Sequence, residues 1–159
     1  EGKVTSYEQR LEFQNLAKKN LNRLGLDQRV NFKLGDIQDG FSETNVDAFF
    51  LDVQNPYDYI EQVRAALKPG GFFGCLVPTT NQVSRLLVAL RVNKFAFVDV
   101  VEVLLRYYKP EPERLRPTDR MVAHTGYLVF GRPMISDAIL EDITDEEDNV
   151  KKTEELSED

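Results

Sequence analysis

Apolar and polar positions along the chain switch between a period of two and a period near 3.6, and the switches mark a succession of strands and helices. Residues 4–8 have the pattern of a short strand. Over residues 9–24 the spacing turns helical: Phe13, Leu16, Ala17, Leu21 and Leu24 share one face, Lys18, Lys19, Asn22 and Arg23 lie elsewhere, and Gly25 is the stop. Val30, Phe32 and Leu34 then alternate with Asn31 and Lys33, as in a strand with one wetter face. Val46, Ala48, Phe49, Phe50 and Leu51 form a nearly continuous apolar run, which predicts a central parallel strand covered on both faces. Asn55-Pro56 opens a turn, residues 57–67 suit a helix, and Lys68-Pro69-Gly70-Gly71 breaks it. A buried strand over 72–77 ends at Pro78, and a helix over 82–90 turns Leu86, Leu87 and Leu90 inward. A long strand is predicted over 97–108 and a final one over 122–130, separated by a loop of Pro110, Pro112, Pro117 and charges. No helix joins these two, so they predict an antiparallel hairpin closing the sheet. The fold class is α/β: parallel strands with crossover helices, then a terminal antiparallel hairpin.

Composition changes this picture in two ways. The 159 residues are 42% hydrophobic, enough for one core and too apolar for a wholly disordered chain. The net charge of −7 is unevenly spread: residues 136–159 hold 11 acids and 2 lysines, leaving 16 acids and 18 bases in residues 1–135. The expected organisation is a slightly basic domain over 1–135 and an acidic tail over 136–159, largely disordered beyond a short helix near 139–143. A basic body admits a nucleic-acid partner. The single cysteine, Cys75, excludes an internal disulfide and a cysteine-rich metal site, and reads as a buried structural thiol. No run is apolar enough to span a membrane and no leader opens the chain, so a cytoplasmic protein is expected.

Three acids stand at the carboxyl ends of predicted parallel strands: Glu8, Asp36 and Asp52. Ligands of open α/β sheets bind outside those ends. A carboxylate at Glu8 suits the two hydroxyls of a ribose, one at Asp36 suits the exocyclic amine of an adenine, and Asp52 falls where the reactive end of such a ligand points. Each also has a local explanation, Asp36 as a turn residue after Gly35 and Glu8 as a helix-start acid.

Several segments resemble the tRNA (adenine-N1)-methyltransferases, a family of class I S-adenosylmethionine-dependent enzymes. They are Thr5-Ser6-Tyr7-Glu8 with Arg10, Leu34-Gly35-Asp36-Ile37, Leu51-Asp52 with Asn55-Pro56, Leu67-Lys68-Pro69-Gly70-Gly71, and Val77-Pro78-Thr79-Thr80-Asn81-Gln82-Val83. The most specific is late: Arg114-Leu115-Arg116-Pro117, then Asp119-Arg120-Met121-Val122-Ala123-His124-Thr125-Gly126-Tyr127-Leu128. The resemblance reaches Pro133 and leaves out the acidic tail. Leu76 departs from it, standing where some members have an aromatic residue.

The resemblance implies a Rossmann-like methyltransferase sheet, with S-adenosyl-L-methionine as cofactor and methylation of N1 of a T-loop adenine in tRNA. It places Glu8 on the cofactor ribose, Asp36 on the cofactor adenine, and Asp52 as the catalytic residue where cofactor methyl meets target base. It also implies a homo-oligomer, a tetramer. The family's first strand and glycine-rich loop find no match, so the chain is expected to be truncated before the second strand, with its sheet edges closed on themselves or paired with another copy.

Arg106, Lys109, Arg114, Arg116 and Arg120 gather around Tyr107 and Tyr108, a mixture that holds phosphates and stacks on bases. Arg106, Tyr108, Arg116, Arg120 and His124 are therefore the candidate RNA contacts. The alternative is a solvated loop whose charge is offset by Glu111, Glu113 and Asp119. His124, the single histidine, has no cysteine neighbours and makes no metal site; a structural histidine is the alternative to an RNA contact. The rival functions are a class I methyltransferase with another substrate, a non-catalytic RNA-binding or assembly subunit, and a nicotinamide-dependent dehydrogenase. The last would share only the ribose-binding acid.

Overall fold

A computed structural model describes residues 2–135; the acidic tail at 136–159 lies outside the described residues. The chain divides into two compact units, one ending at Thr44 and the other starting at Asn45.

The first unit is a β-α-β arrangement. Strand β1 (Val4–Glu8) pairs in parallel with β2 (Val30–Leu34), in register from Val4 opposite Val30 to Glu8 opposite Leu34. The connecting helix α1 (Leu11–Arg23) begins two residues later than the apolar spacing predicts, because Arg10 stays extended and its carbonyl takes the amides of Phe13 and Gln14. It ends as expected at Gly25, whose φ is 68°. The amide of Leu26 bonds the carbonyl of Leu21 and that of Gly25 the carbonyl of Asn22, the paired bonds of a Schellman cap.

The inward face expected of α1 is not inward. Phe13, Leu16 and Leu24 are exposed, Ala17 and Leu21 are half-buried, and the buried residue is Gln14. Two strands are too narrow a surface to cover a 13-residue helix. A polar knot ties this unit instead. Lys33, the register partner of Tyr7, donates to Glu43 at 2.6 Å, and the Tyr7 hydroxyl donates to the same carboxylate at 2.5 Å. The amide of Ser42 donates to the Tyr7 oxygen at 3.2 Å, and Phe41 meets the Tyr7 ring edge-on.

The second unit holds the core. Strands β3 (Val46–Leu51) and β4 (Leu67–Val77) are parallel; β5 (Phe95–Glu102) and the last described strand, β8 (Tyr127–Pro133), complete a sheet of order β3-β4-β8-β5. The predicted antiparallel pairing of the last two long strands is present, and β8 also pairs antiparallel with β4, so it lies between β4 and β5. Helices α2 (Ile60–Ala66) and α3 (Thr80–Val92) supply Ile60, Val63, Ala66, Val83, Leu86 and Leu90 to a core completed by Leu51, Phe73, Cys75, Val77, Phe95 and Val129. A short ladder of β6 (Tyr108–Lys109) and β7 (Arg116–Pro117) forms a separate two-stranded piece.

Several expectations need correction. Among the described residues no ladder joins β1 to β3, so the strands form separate sheets. Among the described residues β3 lies at the edge of its sheet, with Leu51 buried but Phe50 59% exposed. Among the described residues the cover expected on both its faces is absent. The helix expected over 57–67 is a 3-10 turn, Pro56–Tyr59, followed by the shorter α2. Lys68-Pro69-Gly70-Gly71 does not separate helix from strand: β4 runs through it as a bulge, the register passing from Val46 opposite Leu67 to Ala48 opposite Phe72. Gly70 has φ 71°, and a Cβ on Gly71 would lie 2.9 Å from the Lys68 carbonyl oxygen, so glycine is required at both positions. Phe72 and Leu87 are exposed, contrary to the inward positions the pattern predicts. The strand expected over 97–108 stops at Glu102, and β8 starts at Tyr127 rather than 122.

Leu86→Ala, at a fully buried position, should destabilise the second unit by about 2–5 kcal/mol, measured by denaturant unfolding. The Lys33 ammonium, then the Tyr7 hydroxyl, hold the Glu43 carboxyl down from its ordinary 4.5 to about 2. The stability it contributes is therefore present above pH 4.5 and lost as pH falls toward about 2. Glu43→Gln should remove that part of the acid dependence, read by circular dichroism across that range.

Candidate functional site

Glu8 and Asp36 are brought together by strand pairing. The Glu8 carbonyl at the end of β1 accepts from the Gly35 amide at 3.1 Å, which sets Asp36 beside it at the end of β2. One oxygen of each carboxylate is used locally: Glu8 Oε1 accepts from the Arg10 amide at 2.9 Å, and Asp36 Oδ1 accepts from the Gln38 amide at 2.9 Å, capping the 3-10 turn Ile37–Asp39. The local explanation for each acid is thus real, yet it occupies one oxygen and leaves the other to accept hydroxyl or amine hydrogens.

Asp52 belongs to the second unit. It follows Leu51, whose register partner is Cys75, and it is exposed. Cys75 is fully buried; burial, then the Asp52 charge, pushes its thiol up to about 12, which keeps it protonated and inert. The loop after Asp52 is braced by the start of α3. Thr79 caps that helix, its Oγ1 accepting from the Gln82 amide, while the Gln82 side chain donates to the Gln54 carbonyl at 2.9 Å. Arg85 donates to the Tyr57 hydroxyl at 3.1 Å, and Tyr57 donates to Asn55 Oδ1 at 2.9 Å. Sequence reasoning misses these bracing residues. The spacing Thr79-x-x-Gln82 is a capping-box pattern and is the signal that could have found them.

The candidate RNA contacts separate into two groups. Tyr108 on β6 and Arg116 on β7 are gathered by the small ladder, and Thr118 fastens the following turn, its amide donating to the Tyr107 carbonyl at 2.9 Å and its hydroxyl to that of Arg120 at 3.2 Å. Arg106 and Arg120 are exposed on the same excursion. Lys109 pairs with Asp119 at 2.8 Å, but among the described residues no acid pairs with Arg106, Arg114, Arg116 or Arg120. Offset by neighbouring acids therefore covers one cation of the group.

His124 is employed differently. Its Nδ1 meets the Glu102 carboxylate at the end of β5, and its Nε2 lies 2.7 Å from the Pro78 carbonyl at the end of β4. Both partners are acceptors, whereas a neutral imidazole has one N–H. The arrangement is complete only for the imidazolium, and the bond to Glu102, then that to Pro78, raise the His124 pKa above its ordinary 6.5. The structural use of His124 is the one its contacts describe. Among the described residues no group of three or more His, Cys, Asp or Glu is placed to hold a metal ion, and no helix is long and apolar enough to cross a membrane.

With the folded pKa raised, the clasp contributes stability below pH 6.5 and loses it as pH rises through the raised value. His124 is the single histidine, so its imidazole resonances should titrate above 6.5 in NMR, and His124→Gln should abolish the matching loss of stability on the alkaline side.

The chain matches the family described as the tRNA methyltransferase complex GCD14 subunit over residues 1–116. It is 30% identical over 129 residues to the tRNA (adenine(58)-N(1))-methyltransferase TrmI of Thermus thermophilus, covering 80% of this chain and 51% of the relative. It is 29% identical over 157 residues to the TrmI of Methanocaldococcus jannaschii, covering 82% and 56%. Thus it spans about half the length of the curated relatives it matches. Among solved structures, a protein of Thermotoga maritima described as a SAM-dependent O-methyltransferase has a TM-score of 0.82 at 51% identity, covering 85% of this chain and 51% of that one. The tRNA (m1A58) methyltransferase TrmI of Aquifex aeolicus has a TM-score of 0.77 at 42% identity, covering 84% and 54%. The fold is therefore Rossmann-like, of the class I methyltransferase kind, and with the match extending through both units the chain belongs to the GCD14 family of tRNA methyltransferase subunits.

Proposed function

We propose that the protein carrying this chain methylates N1 of a T-loop adenine in tRNA, using S-adenosyl-L-methionine. The observation that carries this reading is the family match over residues 1–116, within which Glu8, Asp36 and Asp52 stand at three strand ends. The donor set fits the cofactor: the adjacent Glu8 and Asp36 each keep a carboxylate oxygen outside their local bonds, suited to ribose hydroxyls and to an adenine amine. When bound, the cofactor supplies an electrophilic sulfonium methyl group.

N1 of adenine carries a lone pair and no proton, so no general base is needed. The protein's part is alignment, worth up to ~7–11 kcal/mol in favourable cases. Asp52 accepts from the exocyclic amine of the target adenine, which fixes the base and stabilises the positive charge the ring gains. The Gln82 and Thr79 brace keeps the loop that follows Asp52 in place. To reach Asp52 the T-loop adenine leaves its stack. Arg106, Arg116 and Arg120, which no acid pairs among the described residues, hold the RNA around it together with Tyr108. A homo-oligomer, a tetramer in this reading, covers the exposed Val100, Val101, Val103, Leu104 and Leu105. Residues 1–135 are part of the catalytic domain in this reading, and a cytoplasmic location accompanies a tRNA substrate.

The Thermotoga maritima relative favours a second reading, methylation of a hydroxyl on another substrate. That chemistry must remove a proton, and N1 methylation does not. Asp52→Ala in the full-length protein should lower turnover on tRNA about 100-fold while calorimetry shows cofactor affinity changed only a few-fold. Equal loss of both would make Asp52 a cofactor ligand alone. Nucleoside analysis of the product distinguishes the readings: 1-methyladenosine supports the first, and its absence with an O-methyl product supports the second.

A further inference from the structure

A separate cationic site lies in the first unit, on the last turns of α1. Lys18, Lys19, Asn22, Arg23, Asp27 and Phe32 line an open hollow of about 470 Å³. The two i, i+4 rows, Lys18 with Asn22 and Lys19 with Arg23, are adjacent on the helix and so present their polar ends to one side. Three cations face a single carboxylate, and Asp27 already accepts from the Gln28 side chain at 3.3 Å. Among the described residues no acid pairs with Lys19 or Arg23.

Two further features make this more than a solvated helix end. The buried Gln14, 4% exposed, holds the Lys18 ammonium at 2.6 Å and so fixes its position, and that ammonium lies 5.5 Å over the Phe32 ring. Complementing the helix dipole explains a cation in the last turn, as Arg23 is, but the effect falls off within that turn and does not reach Lys18 or Lys19. A concave surface with an amide and cations that no acid pairs among the described residues suits the phosphodiester backbone.

We propose that this hollow binds the RNA backbone at a position separate from the strand-end carboxylates, contributing affinity rather than chemistry. The proposal rests on the tRNA reading above. The test uses the full-length protein and its Lys19→Gln/Arg23→Gln variant, both residues being exposed and outside the catalytic machinery. Binding of tRNA is measured across a salt series, alongside turnover at saturating tRNA. The expected result is a plot of log affinity against log salt shallower by about 1–2, since each phosphate no longer neutralised takes roughly 0.7–0.9 off the slope, with kcat unchanged and KM for tRNA raised. Wild-type binding with the same slope in both proteins overturns the proposal and leaves the tRNA reading standing. No tRNA binding by the wild type overturns both. Inorganic phosphate that displaces tRNA at equal phosphate concentration would make the hollow a free-phosphate site and overturn the RNA assignment.

Discussion

The second unit depends on one non-local pairing, the insertion of β8 between β4 and β5. Antiparallel bonds on both sides use up the backbone groups of β8 and of the facing edges of β4 and β5, which would otherwise be left open. Val129 on this strand is fully buried, and Phe95 meets Phe73 edge-on at 5.6 Å. Without β8 the core side chains of α3 would face two separated edges.

The same insertion decides where the late, charged stretch goes. Between the end of β5 and the start of β8 the chain must leave the sheet and come back, and it does so as an excursion pinned at both ends. The β6–β7 ladder and Thr118 organise its outer part, and His124 ties its return to Glu102 and Pro78. Pro78 directly precedes Thr79, the cap of α3, whose Gln82 in turn holds the loop after Asp52. The excursion and the loop after Asp52 are therefore both fastened to the short segment from Pro78 to Gln82.

The first unit is organised on a different principle. Its apolar residues on α1 are largely exposed, and polar contacts among Tyr7, Lys33, Glu43 and Ser42 fasten the loop after Asp36 to the strands. The parallel ladder and the Lys33–Glu43 knot hold the ends of β1 and β2, where Glu8 and Asp36 stand.

What the sequence by itself determined was local. The strands β1, β2 and β3, the Gly25 stop, the buried Cys75 and the placing of Glu8, Asp36 and Asp52 at strand ends all follow from side-chain period and backbone preference, which act between near neighbours. The motifs Leu34-Gly35-Asp36-Ile37 and His124-Thr125-Gly126 carry the family resemblance for the same reason: they are contiguous. Tertiary structure decided the rest. An apolar run cannot tell an edge strand from a central one, and among the described residues β3 lies at an edge; a helical stripe cannot tell which face finds a partner, and there Gln14 is buried and Phe13 exposed. The clasp of His124 joins residues 46 and 22 positions away, and no periodicity records it. Hydrogen bonds and burial at such distances depend on which edges and surfaces the folded chain leaves available, and that is settled only when β8 takes its place in the sheet.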